Sequence, residues 1–405
     1  MRGDYIPVKE LLVAWRERYQ RLSFKDKALG GFLVVALWAG QCACFFGMNF
    51  WLFAFDGNPA AHSTFVTIWV PALVWFVGYF IPAMVYRWCF VPSGETWGFA
   101  FSKRSLLLLA FIGFGDSLGG LTCLYSAKWT PIFLQTMLGA TSPMWTFLLT
   151  KLLFRQRARP FTRYPAIAFL LVFVGIIVSA HSEFEHIPTN NLASRICWSI
   201  INLIGFIIPQ AYGVIQGRYV HEYKDQSSSI ASTRMIVLVG DTSWQLLFTT
   251  LYFPLDAVPW FGSAPYSIDA SWTGFTEAID CIFHCRYNAL YMLIYLGGFY
   301  VAHIIGVVMN HYSPTLFSVV GLVCGPINAL LIILFPVLRI SGTSGTWYWD
   351  LICLGCIMAS CLLFSVWEEA IRYMDDIKKE EVHLLPAACS SSDEESIESQ
   401  VKQLQ

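Results

Sequence analysis

Ten apolar segments, each long enough to cross a membrane, are the feature that most constrains this chain. Segments 1 to 10 cover 28–54, 64–90, 105–127, 131–153, 164–182, 195–218, 231–254, 288–310, 314–338 and 347–371. About 20 apolar residues in a helix span a bilayer, and a helix satisfies its own backbone hydrogen bonds there. With 13% charged residues, the chain has too little charge to cover a soluble body of 405 residues. The sequence therefore predicts an all-α membrane protein with ten transmembrane helices.

Basic residues are distributed unevenly between the two sides of the predicted membrane. All but four of the 26 Lys and Arg residues lie in 1–27, around the loops after segments 2, 4 and 6, or in the C-terminal tail. Because cytosolic loops carry the excess of Lys and Arg, both termini are predicted to be cytosolic. Residues 1–27 combine apolar and basic residues at helical spacing. This pattern favours a juxtamembrane helix on the bilayer surface, and a disordered leader is the alternative.

Two stretches of the chain, 183 residues apart, have the same arrangement of prolines. The first contains Pro131 and Pro143, and the second contains Pro314 and the pair Gly325-Pro326. In each stretch the second proline follows the first by 12 positions. Proline removes a helical hydrogen bond, so segments 4 and 9 are expected to kink near the bilayer centre, for gating or only for packing. Because each half has five segments, the halves are predicted to be inverted repeats, 28–182 and 195–371, as in many transporters.

The stretch from Asp116 through Gln135 to Pro143, together with Asn310 to Pro314 and Cys324-Gly325-Pro326, resembles the chloroquine-resistance-transporter-like family of the drug/metabolite transporter superfamily. The resemblance implies a ten-helix carrier of acidic digestive compartments. It also implies transport of amino acids, small peptides, thiol peptides or cationic drugs toward the cytosol. The chain departs from the malarial members, which have four cysteines in the loop between segments 7 and 8, because this loop offers two.

Two acids lie near the middle of predicted transmembrane segments, Asp116 in segment 3 and Asp241 in segment 7. A charge at the bilayer centre is costly and is rarely kept without a use. Because burial disfavours the charged form of a carboxyl group, either acid is predicted to exchange a proton or to pair with a cationic solute. A carboxyl group that only bonds a neighbouring helix is the alternative. The family resemblance supports Asp116 and not Asp241.

Six uncharged polar side chains lie at similar depth, and together they predict a polar cavity for a neutral or cationic solute. They are Gln41, Asn49, Gln135, Gln210, Gln245 and His303. Each of them alone could instead serve helix packing. His303 is also a candidate proton relay. The middle of the segments has no Lys or Arg, which argues against phosphorylated solutes.

Cysteine usage and motif content add two further expectations. Cys281 and Cys285 lie in the long loop 255–287, on the predicted lumenal side, where an oxidising compartment allows a disulfide. The other cysteines lack a second ligand pair at metal-site spacing, and no nucleotide-binding or hydrolase motif is present. We therefore expect no metal, no cofactor, no nucleic-acid partner and no enzymatic activity.

Residues 372–405 form an acidic tail that is predicted to be disordered and cytosolic. Glu380 stands four residues before Leu384-Leu385, which is the pattern of an acidic dileucine signal read by sorting adaptors. The tail thus predicts a vacuolar or endolysosomal membrane.

The sequence as a whole predicts a secondary transporter that moves a small organic solute across an acidic organelle membrane toward the cytosol. Alternating access would be driven by protons exchanged at Asp116. Two alternatives stay open: a facilitative drug/metabolite exporter at the plasma membrane, and a membrane receptor or scaffold that transports nothing.

Overall fold

A computed structural model describes most of the membrane region of the chain. The described residues are 13, 16, 20, 23–55, 63–91, 97–153, 163–185, 189–227, 229–262, 267–312, 320–321, 323–338 and 347–384. Within them the secondary structure is helical, without strands. The α-helices are α1 Phe24–Ala54, α2 Val66–Cys89, α3 Lys103–Ala127, α4 Ile132–Gly139, α5 Ser142–Leu153, α6 Arg163–Phe184, α7 Thr189–Tyr223, α8 Ile230–Leu251, α9 Ile268–His284, α10 Asn288–Tyr312, α11 Cys324–Leu334 and α12 Trp347–Leu384.

Eight helical stretches in the described part of the chain are long and apolar enough to cross a membrane. They are Lys27–Ala54, Val66–Cys89, Lys103–Ala127, Ile132–Leu153, Arg163–Phe184, Asn191–Gln226, Asn288–Met309 and Trp347–Glu368. The prediction of an all-α membrane protein is thereby confirmed. The remaining two predicted segments do not meet the length and hydropathy expected of a spanning helix. Segment 7 contains α8, which carries Arg234, Asp241 and several hydroxyl residues, and the described part of segment 9 contains the short apolar helix α11. The count of ten spanning helices stays a prediction.

The loop predicted at 255–287 contains the helix α9, which the sequence reading did not anticipate. Its first turn is capped by Ser267, whose hydroxyl accepts a hydrogen bond from the backbone N–H of Ala270 at 3.1 Å. The Phe275 ring packs against Phe65 and Trp69, so α9 contacts the N-terminal end of α2. A search for long apolar runs misses α9 because it is amphipathic and shorter than a membrane span.

Helix α12 continues past the predicted end of segment 10 at residue 371 and reaches Leu384. The structure therefore differs from the prediction of a disordered tail beginning at residue 372, since 372–384 are helical. The change from apolar to charged composition marks the end of the membrane span but not the end of the helix. Residues 385–405, with Leu385, lie outside the described residues, as do most of residues 1–22 and Pro314.

Segment 4 is divided by a break between α4 and α5. Helix α4 follows Pro131 as its N-cap and ends at Gly139, and α5 begins with Ser142-Pro143. Proline is tolerated in a first helical turn because its missing N–H would have no helical partner there. Gly325 and Pro326 occupy the same place at the start of α11. Pro143 and Pro326 thus lie in the first turns of α5 and α11, where segments 4 and 9 had been expected to kink.

Five helix pairings build the bundle: α1 with α10, α3 with α7, α6 with α12, and α8 with each of α2 and α3. The α1–α10 pair is very close because glycines face the partner backbone. A Cβ atom added at Gly298 would lie 2.5 Å from the backbone N of Cys44 and 2.7 Å from the carbonyl O of Gly40. Gly205 makes a similar approach between α7 and α3, where an added Cβ would lie 2.9 Å from the backbone N of Cys123. Small residues at such crossings are typical of membrane helix packing.

Candidate functional site

A cavity of about 350 Å³ lies at the centre of the bundle. Its wall draws on helices from both halves of the chain: α1, α3, α4, α5, α7, α10 and α11. The polar residues in the wall are Gln41, Gln135, Thr136, Ser142, Thr146, Asn202, Gln210, Tyr212, Gln216, His303 and Asn328. Phe45, Phe206 and Phe299 supply aromatic surface. The wall, as far as the described residues form it, contains no Lys, Arg, Asp or Glu.

The two proline-marked helix starts meet at this cavity. Gly139, Ala140 and Ser142 line it where α4 gives way to α5, and Gly325 lines it at the start of α11. A Cβ atom added at Gly325 would lie 3.5 Å from the Cβ of Ala140, so the two breaks are in contact. Helix breaks expose backbone groups that a continuous helix would satisfy internally. Such breaks place hydrogen-bonding capacity at mid-membrane.

Gln41 and Gln210 lie in the cavity wall, where the sequence placed them. The Thr146 hydroxyl donates a hydrogen bond to Oε1 of Gln210 at 2.7 Å, which ties α5 to α7. Gln41 on α1 lies beside Gly321, whose added Cβ would be 3.4 Å from its Nε2. Both amides therefore combine a position in the wall with a contact between helices.

Gln135 and Asn49 hold the turn between α3 and α4. The side-chain NH₂ of Gln135 donates to the carbonyl O of Thr130 at 2.8 Å and of Ala127 at 3.0 Å. Asn49 on α1 meets the Gln135 amide at 3.4 Å in both donor directions. Gln135 borders the cavity, but its donors are engaged by these carbonyl groups. These two side chains use their hydrogen bonds to join α1, α4 and the turn before α4, as amides at helix contacts commonly do.

Asp241 and His303 form a buried pair between α8 and α10. Nε2 of His303 lies 3.5 Å from Oδ2 of Asp241, whose side chain is 0% exposed. His303 lines the cavity, whereas Asp241 lies behind it. The imidazole is flanked by the rings of Tyr79 at 5.4 Å and Phe299 at 5.3 Å between centroids. The cavity thus reaches Asp241 through a single histidine ring.

Asp116 is also separated from the cavity by one side chain. The hydroxyl of Tyr212 on α7 donates a hydrogen bond to Oδ1 of Asp116 at 3.0 Å, and Tyr212 lines the cavity. Oδ2 of Asp116 is buried without a hydrogen-bond partner among the described residues. Asp116 interacts electrostatically with both Asp241 and His303. The structure therefore brings the two predicted acids and the predicted histidine into one electrostatic unit beside the cavity.

Gln245, like Asn49, belongs to the six predicted cavity residues but is not part of the described wall. It is buried in α8. A Cβ atom added at Gly113 on α3 would lie 2.8 Å from the backbone N of Gln245, so this part of α8 packs tightly against α3. One turn separates Gln245 from Asp241, and the packing against α3 keeps it away from the cavity.

Seven polar wall residues are missing from the set that the sequence suggested, namely Thr136, Ser142, Thr146, Asn202, Tyr212, Gln216 and Asn328. Three are amides within apolar segments, so the rule that selected Gln41 and Gln210 could have found them. Tyr212 carries no such signal, because a tyrosine within a membrane helix is usually read as aromatic packing. Its role depends on its partner Asp116, which only the fold reveals.

The remaining predicted sites lie away from the cavity. Cys281 and Cys285 are joined by a disulfide bond at the end of α9. Glu380 and Leu384 fall in the last turns of α12, and their side chains are outside the described residues. Within the described part of the chain, no group of three or more His, Cys, Asp or Glu residues is arranged to hold a metal ion.

No protein-family model matches the chain, and no curated protein is significantly similar to it in sequence. Its role must therefore be inferred from the cavity and from the groups around it.

Proposed function

We propose that this protein is a secondary transporter that moves a small organic solute across a membrane by alternating access. The observation that carries the proposal is the central cavity, formed where the broken segment 4 meets the start of α11. Transporters commonly place their binding site at mid-membrane, between discontinuous helices of two repeats. A scaffold that binds no solute has no need of such a cavity, and a receptor would bind a solute there without moving it across the membrane.

The helix pairings support the arrangement in two inverted repeats. Exchanging the halves pairs α1 with α7, α2 with α8, α3 with α10, the α4–α5 unit with α11, and α6 with α12. Under this exchange the α1–α10 contact becomes the α7–α3 contact, and both occur. The α2–α8, α4–α11 and α6–α12 contacts each map onto themselves, and all three occur. An odd number of spanning helices in each repeat inverts one repeat relative to the other.

The wall of the cavity favours a neutral or cationic solute with an apolar part. Amide and hydroxyl groups can donate and accept hydrogen bonds, and the three phenylalanine rings offer apolar and cation–π contacts. A phosphorylated or otherwise anionic solute would lack a basic partner in the described wall. The volume is in the range of roughly 300–1,000 Å³ that is usual for small-molecule sites. Amino acids, small peptides and cationic drugs without a net negative charge fit this description, whereas thiol peptides of the glutathione type are anionic at neutral pH and remain candidates on the family resemblance alone.

Protons are the proposed driving ion, with Asp116 as a carrier. Its buried carboxyl group can bind a proton in an acidic lumen and lose it at cytosolic pH, which would bias the cycle toward the cytosol. The vacuolar or endolysosomal address rests on the dileucine pattern of the tail. A facilitative plasma-membrane exporter would use the same cavity but would show no dependence on a pH gradient.

Purified protein in liposomes with an imposed pH gradient tests the proposal. The probes are labelled glutamine, arginine, glycyl-sarcosine, glutathione and a lipophilic tertiary amine. We expect gradient-dependent uptake of at least one probe, and we expect Asp116→Asn to abolish the dependence on the gradient. Ser117→Ala, at the adjacent position, is the control and should retain it. Folded protein that moves none of the probes would count against transport and for a receptor or scaffold.

A further inference from the structure

The contact between Asp241 and His303 is unusual for a buried ionisable pair because both partners lack other hydrogen bonds. Both carboxylate oxygens of Asp241 and both ring nitrogens of His303 are without a hydrogen-bond partner among the described residues. Their closest atoms are 3.5 Å apart, beyond the usual hydrogen-bond distance. Buried polar groups in a static, structural role are normally satisfied. The pair therefore has unused capacity for a proton.

The position of His303 connects the His303–Asp241 pair to the cavity. The side chain is 10% exposed and belongs to the cavity wall, near the middle of α10, whereas Asp241 is fully enclosed. The rings of Tyr79 and Phe299 both make T-shaped contacts with the imidazole, and these contacts limit the orientations that the imidazole can adopt. A proton or a cationic group in the cavity meets the histidine first. Asp241, which contacts this ring, is absent from the described cavity wall.

The charged surroundings of His303 are acidic. Asp241 faces it from α8 and Asp116 interacts with it from α3, while Tyr79 on α2 contributes a ring. Tyr212 on α7 interacts with both acids and holds Asp116 by a hydrogen bond. An imidazolium at this position would be stabilised by the two carboxylates.

We propose that His303 and Asp241 form a second proton-exchange site of the cavity, in which His303 takes up the proton and Asp241 stabilises the charged ring. The inference rests on the proposed function, which uses Asp116 alone. Asp116 reaches the cavity through a phenol group that is already engaged, whereas His303 faces the cavity directly. The two sites share one electrostatic environment, so occupation of one by a proton changes the affinity of the other.

Carbethoxylation by diethyl pyrocarbonate tests the site without any knowledge of the solute, because an imidazole reacts with it in the neutral form and not in the protonated form. The rate at His303 is followed by mass spectrometry on the purified full-length protein between pH 5 and pH 8. We expect a pH-dependent rate whose midpoint moves by about one pH unit or more in Asp241→Asn. Asp241→Glu keeps the charge and should retain most of the wild-type profile. This variant shows whether substitution at this position by itself impairs folding.

The chain contains its own control for this measurement. His284 lies 3.0 Å from Asp280 on α9, and both side chains are about three-quarters exposed at 75% and 73%. In the same samples, Asp280→Asn should change the His284 profile much less, because solvent screens an exposed pair. A His303 rate that is independent of pH, a midpoint unchanged by Asp241→Asn, or the absence of any reaction at His303 would overturn the proposal.

Transport separates this inference from the function on which it rests. With labelled arginine as the probe, His303→Gln should lose uptake driven by a pH gradient but keep exchange of arginine at equal pH on both sides. A merely structural role would impair both reactions alike. If wild-type protein moves no probe at all, the proposed function fails, and the carbethoxylation profile still decides whether the pair exchanges protons.

Discussion

Individual polar residues within the membrane segments serve two different ends in this protein. Gln41 and His303 line the cavity, whereas Gln135 and Asn49 form hydrogen bonds to other groups of the protein. Sequence reasoning located all four, because an amide or imidazole in an apolar segment is conspicuous. It could not separate the two groups, since the distinction depends on partners that are distant in the chain. The same limit applies to Asp241 and His303, whose pairing follows from the packing of α8 near α10.

Replacement of Gln135 by methionine is expected to lower stability more than it changes solute binding. The carbonyl groups of Ala127 and Thr130 would lose their side-chain donor inside the protein, at a cost of about 1–3 kcal/mol each if left unsatisfied. Thermal unfolding of the detergent-solubilised variant measures the loss. Gln41→Met is the matched control from the same cavity and should unfold close to wild type. Equal losses for the two variants would contradict the division of roles.

Helix crossings, at the next scale, are set by glycines as well as by apolar surface. The α1–α10 crossing depends on Gly40 and Gly298, and the α3–α7 crossing on Gly205. Most of the helices themselves could be predicted from apolar runs, because a run of sufficient length has few alternatives in lipid. Helix α9 could not be found in this way, and neither could the extension of α12 to Leu384. Both depend on amphipathic or charged residues that a hydropathy criterion excludes.

Two adjacent glycines allow the α1–α10 crossing to be tested with a near-identical control. In Gly298→Ala the new methyl group would meet the backbone of α1, and the helices must separate, at a cost of about 1–3 kcal/mol. A Cβ atom at Gly297 would meet nothing within 4 Å, so Gly297→Ala should behave as wild type. Size-exclusion profiles and unfolding midpoints of the two variants provide the measurement. A tolerated Gly298→Ala would show that the two helices can move apart without loss.

The whole molecule combines a helical bundle with a C-terminal tail that is predicted to be cytosolic, and the two parts are expected to have separable roles. The bundle encloses the cavity, and the tail carries Glu380 and the leucine pair that begins at Leu384. The proposed repeat is predicted from the spacing of the prolines, because a duplicated segment would retain the positions at which its helix must break. The reciprocal pairing of helices on which the proposal also draws could not be predicted, because it depends on contacts between distant parts of the chain.

Alanine at both Leu384 and Leu385 should move the protein from endolysosomal membranes to the cell surface, because adaptors bind the apolar side chains of such a pair. Uptake by the purified variant in liposomes should be unchanged. Fluorescence microscopy and surface biotinylation of tagged full-length protein measure the address. Alanine at Val382 and His383, in the same helix, is the control and should leave it unaltered. An unchanged distribution of the leucine variant would show that the tail does not determine the address.

The lack of fixed charge in the described cavity wall determines how the protein would respond to membrane voltage. The described wall holds no Lys, Arg, Asp or Glu that would neutralise a bound solute, and a proton on His303 would add a charge of its own. A monovalent cation held there would carry its full charge through the electric field, which changes its energy by about 2.3 kcal/mol per 100 mV. A neutral solute would be indifferent to the same field. The electrical current that accompanies uptake would therefore report the combined charge of the bound solute and its coupled protons.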